Sequence, residues 1–339
     1  MQLSVKALIK MKTKKSDKTK MVGIMCKKLL QIAAGLGLCL YSVLMQAAEI
    51  NFQNILQQER AWAGLQTKTV KAGDVEWIYS EGGNASKPTV LLIHGLSGTR
   101  DNWNRVARYL TPSYHVIIPD LPAHGETKTA AEFDLSIPNL AEKLRRFTDA
   151  AKFDPNLHIA GHSMGGAIAM LYSAQYPLEV KSLLLVDAAG VYKTANTAYL
   201  KDPQQLRQIV VEKSGDFDKL ITIAMQSPPF IPQELKAAQE KLMLSQSKNT
   251  HKMVNALIEM SKLYTPESFG LLARTIDAPA LIVWGKQDKV VNVEAAAELK
   301  GLLKNSEQPL ILEGIGHMPI LEAEQLVAYP YLNFLKKVK

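Results

Sequence analysis

The clearest chemical signal in the sequence is a serine between two glycines, in Gly161-His162-Ser163-Met164-Gly165. An apolar run, Leu157 to Ala160, precedes this motif, and a helical pattern follows it. A serine on a sharp turn between a strand and a helix is an exposed nucleophile, and glycines two residues to either side avoid collisions with neighbouring elements. The motif therefore predicts that Ser163 attacks an electrophilic carbon.

A serine hydroxyl is a weak nucleophile until a base accepts its proton, so a histidine must reach Ser163. His317 is the strongest candidate because it lies in Gly314-Ile315-Gly316-His317-Met318-Pro319, a loop between the last predicted strand and the final predicted helix. His162 is fixed within the serine motif, and a structural role is expected for it. His124 follows a strand in Pro122-Ala123-His124-Gly125 and could support the site.

The histidine in turn needs a carboxylate to orient its ring. Asp288 follows the apolar strand that ends at Trp284-Gly285, and it precedes His317 in the chain. Asp187 is the alternative, since it also ends a predicted strand next to that of the nucleophile. We expect Asp288 to be the acid, and we interpret Asp187 as a helix or turn cap.

Two backbone N–H groups are candidates to stabilise a developing oxyanion. Met164 N–H lies at the start of the helix after Ser163, where N–H groups are free and the helix dipole is positive. Leu96 N–H is the second candidate, in the loop His94-Gly95-Leu96-Ser97-Gly98-Thr99. His94 is expected to be a structural hydrogen-bonding residue, and Asp101 to cap the helix that carries Trp103.

The elements around these residues alternate between strands and helices. Four apolar runs, each bounded by proline, glycine or aspartate, are typical of strands buried on both faces of a parallel sheet: Thr89–Ile93, His115–Ile118, Leu157–Ala160 and Leu183–Val186. Helical patterns such as 139–151 and 164–176 separate them. The sequence predicts a doubly wound, mostly parallel α/β sheet, whose ligands bind at the carboxyl ends of the strands.

The alternation stops between Gly190 and Thr275 and resumes with the strand pattern at 279–284. The intervening residues look helical, so we predict a helical cap inserted at 191–275. The predicted domains are therefore an export signal or signal anchor (1–48), the hydrolase core in two parts (49–190 and 276–339), and the cap. Apolar cap residues such as Phe230 and Met253 could line a lipid site, although for any one of them packing against the core is the simpler interpretation.

Positive charge is concentrated at the start of the chain. Residues 1–47 contain nine lysines and one acid, Asp17, whereas residues 48–339 contain 31 basic and 31 acidic residues. The neutral body gives no support for nucleic-acid binding. An apolar stretch from Leu29 ends in Gln46-Ala47-Ala48, a pattern that predicts an export signal, or alternatively a membrane anchor at 29–45. Both cysteines, Cys26 and Cys39, lie in this leader, so the body is predicted to fold without a disulfide.

From about Val75 to Phe334 the chain resembles α/β-hydrolases, and in particular the bacterial lipases often grouped as family V. Five segments carry the resemblance: His94–Thr99, Asp120-Leu121-Pro122-Ala123-His124-Gly125, Gly161–Gly166, Trp284-Gly285-Lys286-Gln287-Asp288 and Gly316-His317. One position departs from the pattern, because relatives usually have glycine where this chain has Ala123.

This resemblance implies the α/β-hydrolase fold and a Ser163, Asp288, His317 triad that hydrolyses carboxylic esters. A hydrophobic residue after His-Gly, here Leu96, implies medium or long acyl chains, so the expected substrate is a triacylglycerol or similar lipid ester. A short-chain carboxylesterase and a C–C bond hydrolase remain alternatives on the same scaffold. No metal or cofactor is expected, and the sequence leaves oligomeric state open.

Overall fold

The structure is a computed structural model that describes residues 52–338. The leader predicted at 1–48, with Cys26, Cys39 and the alternative anchor at 29–45, lies outside the described residues.

One twisted sheet organises the described part of the chain, with strands in the order β1-β2-β4-β3-β5-β6-β7-β8. β1 and β2 form an antiparallel hairpin, and β2 also pairs antiparallel with β4. From β4 across to β8 every pairing is parallel. The strands are β1 Leu65–Ala72, β2 Val75–Gly82, β3 Thr89–Ile93, β4 His115–Pro119, β5 Leu157–His162, β6 Val180–Val186, β7 Ala280–Gly285 and β8 Leu310–Leu312. The doubly wound, mostly parallel α/β fold class is thereby confirmed.

Helices cover both faces of this sheet. They are α1 Asn104–Leu110, α2 Ile137–Ala150, α3 Met164–Gln175, α4 Ala198–Lys201, α5 Asp216–Ala224, α6 Gln233–Ser261, α7 Pro266–Arg274, α8 Glu294–Leu302, α9 Pro319–Glu322 and α10 Glu324–Lys337. Short 3-10 turns occur at Arg100–Trp103, Pro177–Glu179 and Pro203–Ile209. Among residues 52–338, no helix is both long enough and apolar enough to cross a bilayer.

The core lies on both sides of the sheet because the central strands carry buried apolar side chains on both faces. In β3, Leu91 and Ile93 pack with residues of α2 and α3, whereas Val90 and Leu92 pack with residues of α1 and α10. All four side chains are fully buried. Burial of a side chain of this size contributes about 1.5–3 kcal/mol, so the two layers fix the sheet whose carboxyl ends carry the candidate site.

Between β6 and β7 the described chain is helical. The longest helix, α6, is tied to loops beyond β4 by two side chains: Gln246 donates to the carbonyl of Gly125, and Lys252 donates to the carbonyl of Ala131. This segment corresponds to the cap predicted at 191–275. Its status as a separate domain stays a prediction.

The loop after β3 differs from expectation at Asp101. Thr99 caps the 3-10 turn that carries Trp103, because its hydroxyl accepts the N–H of Asp101. Asp101 is therefore inside the first turn, and its carboxylate accepts two N–H bonds from Arg60 at 2.6 Å each. The prediction that Asp101 is the cap was wrong, because a threonine hydroxyl two residues earlier already fills that position.

The Asp120 segment is a buried structural junction. Asp120 is fully buried and accepts the backbone N–H groups of Arg100 and Glu126, and it forms an ion pair with the Arg100 guanidinium. Ala123, three residues on, has φ 64. This left-handed conformation explains why relatives would favour glycine there, since a Cβ costs about 1–2 kcal/mol in that region.

Candidate active site

Ser163 lies on a strained turn between β5 and α3. Its backbone has φ 52 and ψ −121, a combination that side-chain-bearing residues rarely adopt. A Cβ added at Gly161 would lie 2.6 Å from the Gly166 nitrogen, and one added at Gly165 would lie 2.6 Å from the His94 carbonyl oxygen. The glycines therefore allow α3 to approach β5 and the end of β3, and Ser163 stands at the resulting corner.

The three residues predicted as nucleophile, base and acid lie in one chain of hydrogen bonds. Ser163 Oγ is 2.9 Å from His317 Nε2, and His317 Nδ1 is 2.7 Å from Asp288 Oδ2. With Asp288 as carboxylate, Nδ1–H donates to it, which leaves Nε2 free to accept the serine proton. This is the arrangement that raises the nucleophilicity of a serine.

Backbone groups fix the carboxylate of Asp288. Its other oxygen accepts the N–H groups of Val290 at 2.7 Å and Val291 at 2.9 Å. Trp284 holds the same turn by donating its indole N–H to the Val291 carbonyl. One Asp288 oxygen thus accepts hydrogen bonds that stabilise the turn, and the other orients His317.

Asp187, the alternative acid, is completely buried beside this group. Its Oδ1 accepts the N–H of Gly285 at 3.0 Å, and its Oδ2 has no hydrogen-bond partner among the described residues. Burial, reinforced by the charge of Asp288, raises the pKa of Asp187 well above its ordinary value. Among the described residues, Asp187 makes no hydrogen bond to His317, whose Nδ1 faces Asp288 instead.

Oxygen and nitrogen atoms of Asp187, Asp288 and His317 lie within 4.8 Å of one another, close enough in principle to share a cation. However, His317 Nδ1 is 2.7 Å from Asp288 Oδ2, a hydrogen-bond distance that requires a proton between the two atoms. The donor set therefore fits proton transfer better than metal binding.

The two predicted oxyanion donors are available. Neither the N–H of Leu96 nor that of Met164 has an acceptor among residues 52–338. The loop of Leu96 lies against the serine turn, since a Cβ on Gly95 would be 3.0 Å from the Cβ of Ser163. Both N–H groups remain candidates for holding an oxyanion.

His94 and His124 are buried, with their ring centroids 5.2 Å apart and their planes tilted by 58°. His94 donates from Nδ1 to the Gly95 carbonyl and accepts the N–H of Leu121 at Nε2. Burial lowers the pKa of both histidines, that of His94 strongly. His94 is thus a neutral structural residue as expected, while His124 donates from Nδ1 to the Pro122 carbonyl and makes no hydrogen bond to Ser163, Asp288 or His317.

His162 has a role that the sequence did not reveal. Its Nε2–H donates to the backbone carbonyl of His317 at 2.7 Å, across 155 residues of chain. Burial lowers the pKa of His162 to about 3, so the ring stays neutral and keeps this tautomer. No local pattern could have identified the contact, because its acceptor is a main-chain oxygen of a distant loop.

Apolar residues of the helical segment lie next to Leu96. Val210, Val254 and Ile258 form a small buried cluster, and the side chains of Leu96 and Leu206 pack against it. Of the cap residues considered for a lipid site, Met253 is buried in the main core and Phe230 is 91% exposed. The cluster next to Leu96 is therefore a better candidate for an acyl-binding wall than either of those two.

Comparison with known proteins agrees with this architecture. The family model described as the alpha/beta hydrolase fold matches residues 88–324. The chain is 33% identical over 287 residues to Lipase 1 of Psychrobacter immobilis, covering 83% of this chain and 88% of that protein.

Two solved structures are also similar. A candidate lipase from Acinetobacter baumannii AYE has 63% identity and a TM-score of 0.84, covering 85% of this chain and 96% of its own. A bacterial membrane phospholipase A, described as a virulence factor, has 33% identity and a TM-score of 0.82, covering 95% of this chain and 99% of its own.

Proposed function

The chain belongs to the α/β-hydrolase family as a lipase-like carboxylic ester hydrolase, and we propose that it cleaves medium- and long-chain acyl esters through an acyl-enzyme on Ser163. The observation that carries the proposal is the hydrogen-bond chain from Ser163 through His317 to Asp288, at 2.9 and 2.7 Å. Its substrate is a lipid or other ester, and triacylglycerol is the substrate we expect it to accept.

In the proposed mechanism, Ser163 Oγ attacks the ester carbonyl while its proton passes to His317 Nε2. Asp288 orients the imidazole and stabilises the imidazolium that forms. The negative charge that develops on the carbonyl oxygen is held by the N–H groups of Leu96 and Met164. His317 then gives the proton to the leaving alcohol, and the acyl group remains on Ser163.

In the second half-reaction, water attacks the acyl-enzyme while His317 Nε2 accepts a proton from it. The second tetrahedral intermediate is stabilised by the same two N–H groups. It collapses to release the fatty acid, and His317 returns the proton to Ser163 Oγ. No further cofactor is needed to balance either half-reaction.

The preference for longer acyl chains rests on the apolar cluster that contacts Leu96. Leu96 is partly exposed and packs against the buried Val254 and Ile258, so its side chain is the apolar surface that an acyl chain at the oxyanion loop would meet. Each methylene that an acyl chain buries against such a surface contributes about 0.8 kcal/mol. We propose that the helical segment 191–275 is a cap that supplies this surface.

We further propose that residues 1–48 direct export of the protein. The lysine-rich start, the apolar stretch and the small residues at 47 and 48 support this proposal. The alternative is that the stretch at 29–45 is retained as a membrane anchor. The similarity to a membrane phospholipase A is a reason to test this alternative directly.

The test is hydrolysis by the purified protein of a series of esters from acetyl to palmitoyl, followed by emulsified triacylglycerol. We expect kcat/KM to rise with acyl length and the emulsion to be cleaved. Activity confined to the short esters would indicate a carboxylesterase. No ester hydrolysis at all would refute the proposal and indicate that the enzyme cleaves another kind of bond.

Ser163→Ala should lower kcat by at least about 10³-fold on every active ester, because the nucleophile is lost. Ser173→Ala is the matched control. Ser173 is buried in helix α3, which begins directly after Ser163, and its hydroxyl donates to the Ala169 carbonyl of that helix. An unchanged rate in Ser163→Ala would show that another residue is the nucleophile.

A further inference from the structure

The carboxylate of Glu322 accepts four backbone N–H groups from two separate segments. Oε2 accepts the N–H groups of Gln226 and Ser227, each at 2.7 Å. Oε1 accepts that of Gly316 at 3.0 Å and that of Met318 at 3.3 Å. Glu322 therefore binds two loops that are almost 90 residues apart in the chain.

One of those loops contains the base. Gly316 and Met318 flank His317 directly, so Glu322 holds the main chain on both sides of it. The N–H of His317 itself donates to the Ala224 carbonyl at 2.7 Å. Ala224 is the last residue of helix α5, and the segment 224–227 that leaves this helix thus contacts the base loop at several points.

The two segments pack too closely at this junction to admit a side chain at Gly316. A Cβ on Gly316 would lie 2.7 Å from the nitrogen of Gln226 and 3.1 Å from Glu322 Oε1. Ser227 adds a hydrogen bond from its hydroxyl to the Gly314 carbonyl at 2.9 Å. On the opposite side, His162 donates to the carbonyl of His317, so both backbone polar groups of the base are fixed.

Two physical arguments make the carboxylate important. The first is energetic: hydrogen bonds to an ionised acceptor are roughly twice as strong as neutral ones. Here four N–H groups share one carboxylate, whereas a single main-chain carbonyl has one oxygen and could not accept all four. The second argument is geometric: His317 Nε2 must stay within hydrogen-bond reach of Ser163 Oγ, and an error of about 1 Å in such a group can cost about 10²-fold in rate.

We propose that Glu322 is a positioning residue for His317 and that it couples the segment leaving helix α5, at Gln226 and Ser227, to the loop of the base. The proposal rests on the assignment of His317 as the base of the proposed reaction. Among residues 52–338, the hydrogen-bond partners of Glu322 are main-chain N–H groups, so we expect its loss to affect kcat more than KM.

The test is Glu322→Gln in the full-length protein. The amide keeps the volume but replaces one acceptor oxygen with an NH₂ group, which repels the N–H groups it faces. We expect kcat to fall about 10- to 100-fold while KM changes less than about threefold. Amide hydrogen exchange at Gly316 and Met318 should become faster in the same variant.

Two further variants make the result interpretable. Glu313→Gln removes the same charge from an exposed position four residues before His317, and it should leave kcat unchanged. Glu322→Asp keeps the charge with a shorter reach, and we expect it to recover part of the kcat lost in Glu322→Gln. It is also the variant to assay if Glu322→Gln does not fold, as judged by circular dichroism.

Two outcomes would overturn the proposal: a kcat within twofold of the wild type in folded Glu322→Gln, or a raised KM at constant kcat. Failure of the proposed function would look different. In that case the wild-type protein would cleave no ester, and the exchange rates at Gly316 and Met318 would still show whether Glu322 holds the loop of His317.

Discussion

Asp288 and Asp187 are neighbouring acids with different partners. Asp288 accepts two backbone N–H groups on one oxygen and the imidazole of His317 on the other. Asp187 accepts one backbone N–H, from Gly285, and its burial raises the pKa of its carboxyl. Only the first arrangement can orient a base and stabilise its positive charge, so the two residues should respond differently to the same substitution.

We predict that Asp288→Asn lowers kcat for ester hydrolysis by about 10⁴-fold, because an amide facing Nδ1 favours the wrong tautomer of His317. Asp187→Asn keeps an oxygen for the Gly285 N–H and should lower kcat by less than about tenfold. Steady-state kinetics on a soluble ester measures both. The reverse order of effects would make Asp187 the acid of the triad.

The raised pKa of Asp187 also predicts a pH dependence of stability. In the folded protein this carboxyl keeps its proton at pH values where it would ionise in the unfolded chain, whose ordinary pKa is 3.8. The native state therefore binds more protons, and this group's contribution to stability is lost as pH rises above that value toward the folded-state pKa. Asparagine does not titrate, so Asp187→Asn should gain stability relative to the wild type over this pH range.

Denaturant unfolding of both proteins, from about pH 4 to about pH 8, measures this difference. The control is Asp149→Asn, which changes a largely exposed acid in helix α2. A difference between Asp187→Asn and the wild type that stays constant with pH would contradict a raised pKa of Asp187.

At the scale of elements, the turn from β5 to α3 depends on main-chain contacts that exclude a side chain. Gly161→Ala would place a methyl group 2.6 Å from the Gly166 nitrogen. The backbone would have to move, and we expect the free energy of unfolding to fall by about 3 kcal/mol, together with a loss of esterase activity.

Gly301→Ala is the matched control, because Gly301 lies in helix α8 and a Cβ there would meet nothing within 4 Å. It should raise the free energy of unfolding by about 0.5–1 kcal/mol, since alanine restricts the unfolded chain. Urea unfolding of both variants measures these changes in the free energy of unfolding. Equal effects would mean that the turn at Gly161 tolerates a side chain.

The elements themselves could be predicted because their signals are local. The apolar runs at 89–93 and 183–186 are strands, and the strands in turn define the edge where Ser163 and Asp288 are found. What could not be predicted depends largely on contacts between distant residues. Asp101 was assigned wrongly because Thr99, two residues earlier, is the cap, and because the side-chain partner of Asp101, Arg60, lies 41 residues away.

The same limitation applies to the groups that hold the base. The pattern around His317 predicts a glycine-rich loop, but it contains no information about the His162 ring that contacts this loop, or about the Gln226 and Ser227 N–H groups that donate to Glu322 beside it. Hydrogen bonds to backbone atoms place few demands on residue type at the other end. Such hydrogen bonds can be identified only from the folded structure.

For the whole molecule, the parallel sheet explains how residues from four separate regions meet. The residues proposed for catalysis, Leu96, Ser163, Asp288 and His317, each follow a strand of the parallel part of the sheet, and these strands all end at the same edge. The helical segment 191–275 is inserted between β6 and β7, and it packs against Leu96 and the loop of His317.

The uneven distribution of charge gives a prediction about the location of the protein. All of the net charge of +8 comes from residues 1–47, and the remaining chain is formally neutral. A basic start followed by an apolar stretch engages the export machinery, whereas a neutral body has no electrostatic reason to bind nucleic acid or an anionic membrane. Removal of residues 1–48 should thus change where the enzyme is found without changing what it hydrolyses.

We predict that the full-length protein, expressed in a Gram-negative host, is exported and cut near Ala47 or Ala48, and that its esterase activity is recovered outside the cytoplasm. Deletion of residues 1–48 should retain the activity in the cytoplasm, because the signal is lost while every residue proposed for catalysis is kept. Cell fractionation and mass spectrometry of the N-terminus measure both effects. An uncut protein that detergent alone releases from membranes would instead establish the stretch at 29–45 as an anchor, and activity in the cytoplasm of both strains would exclude export altogether.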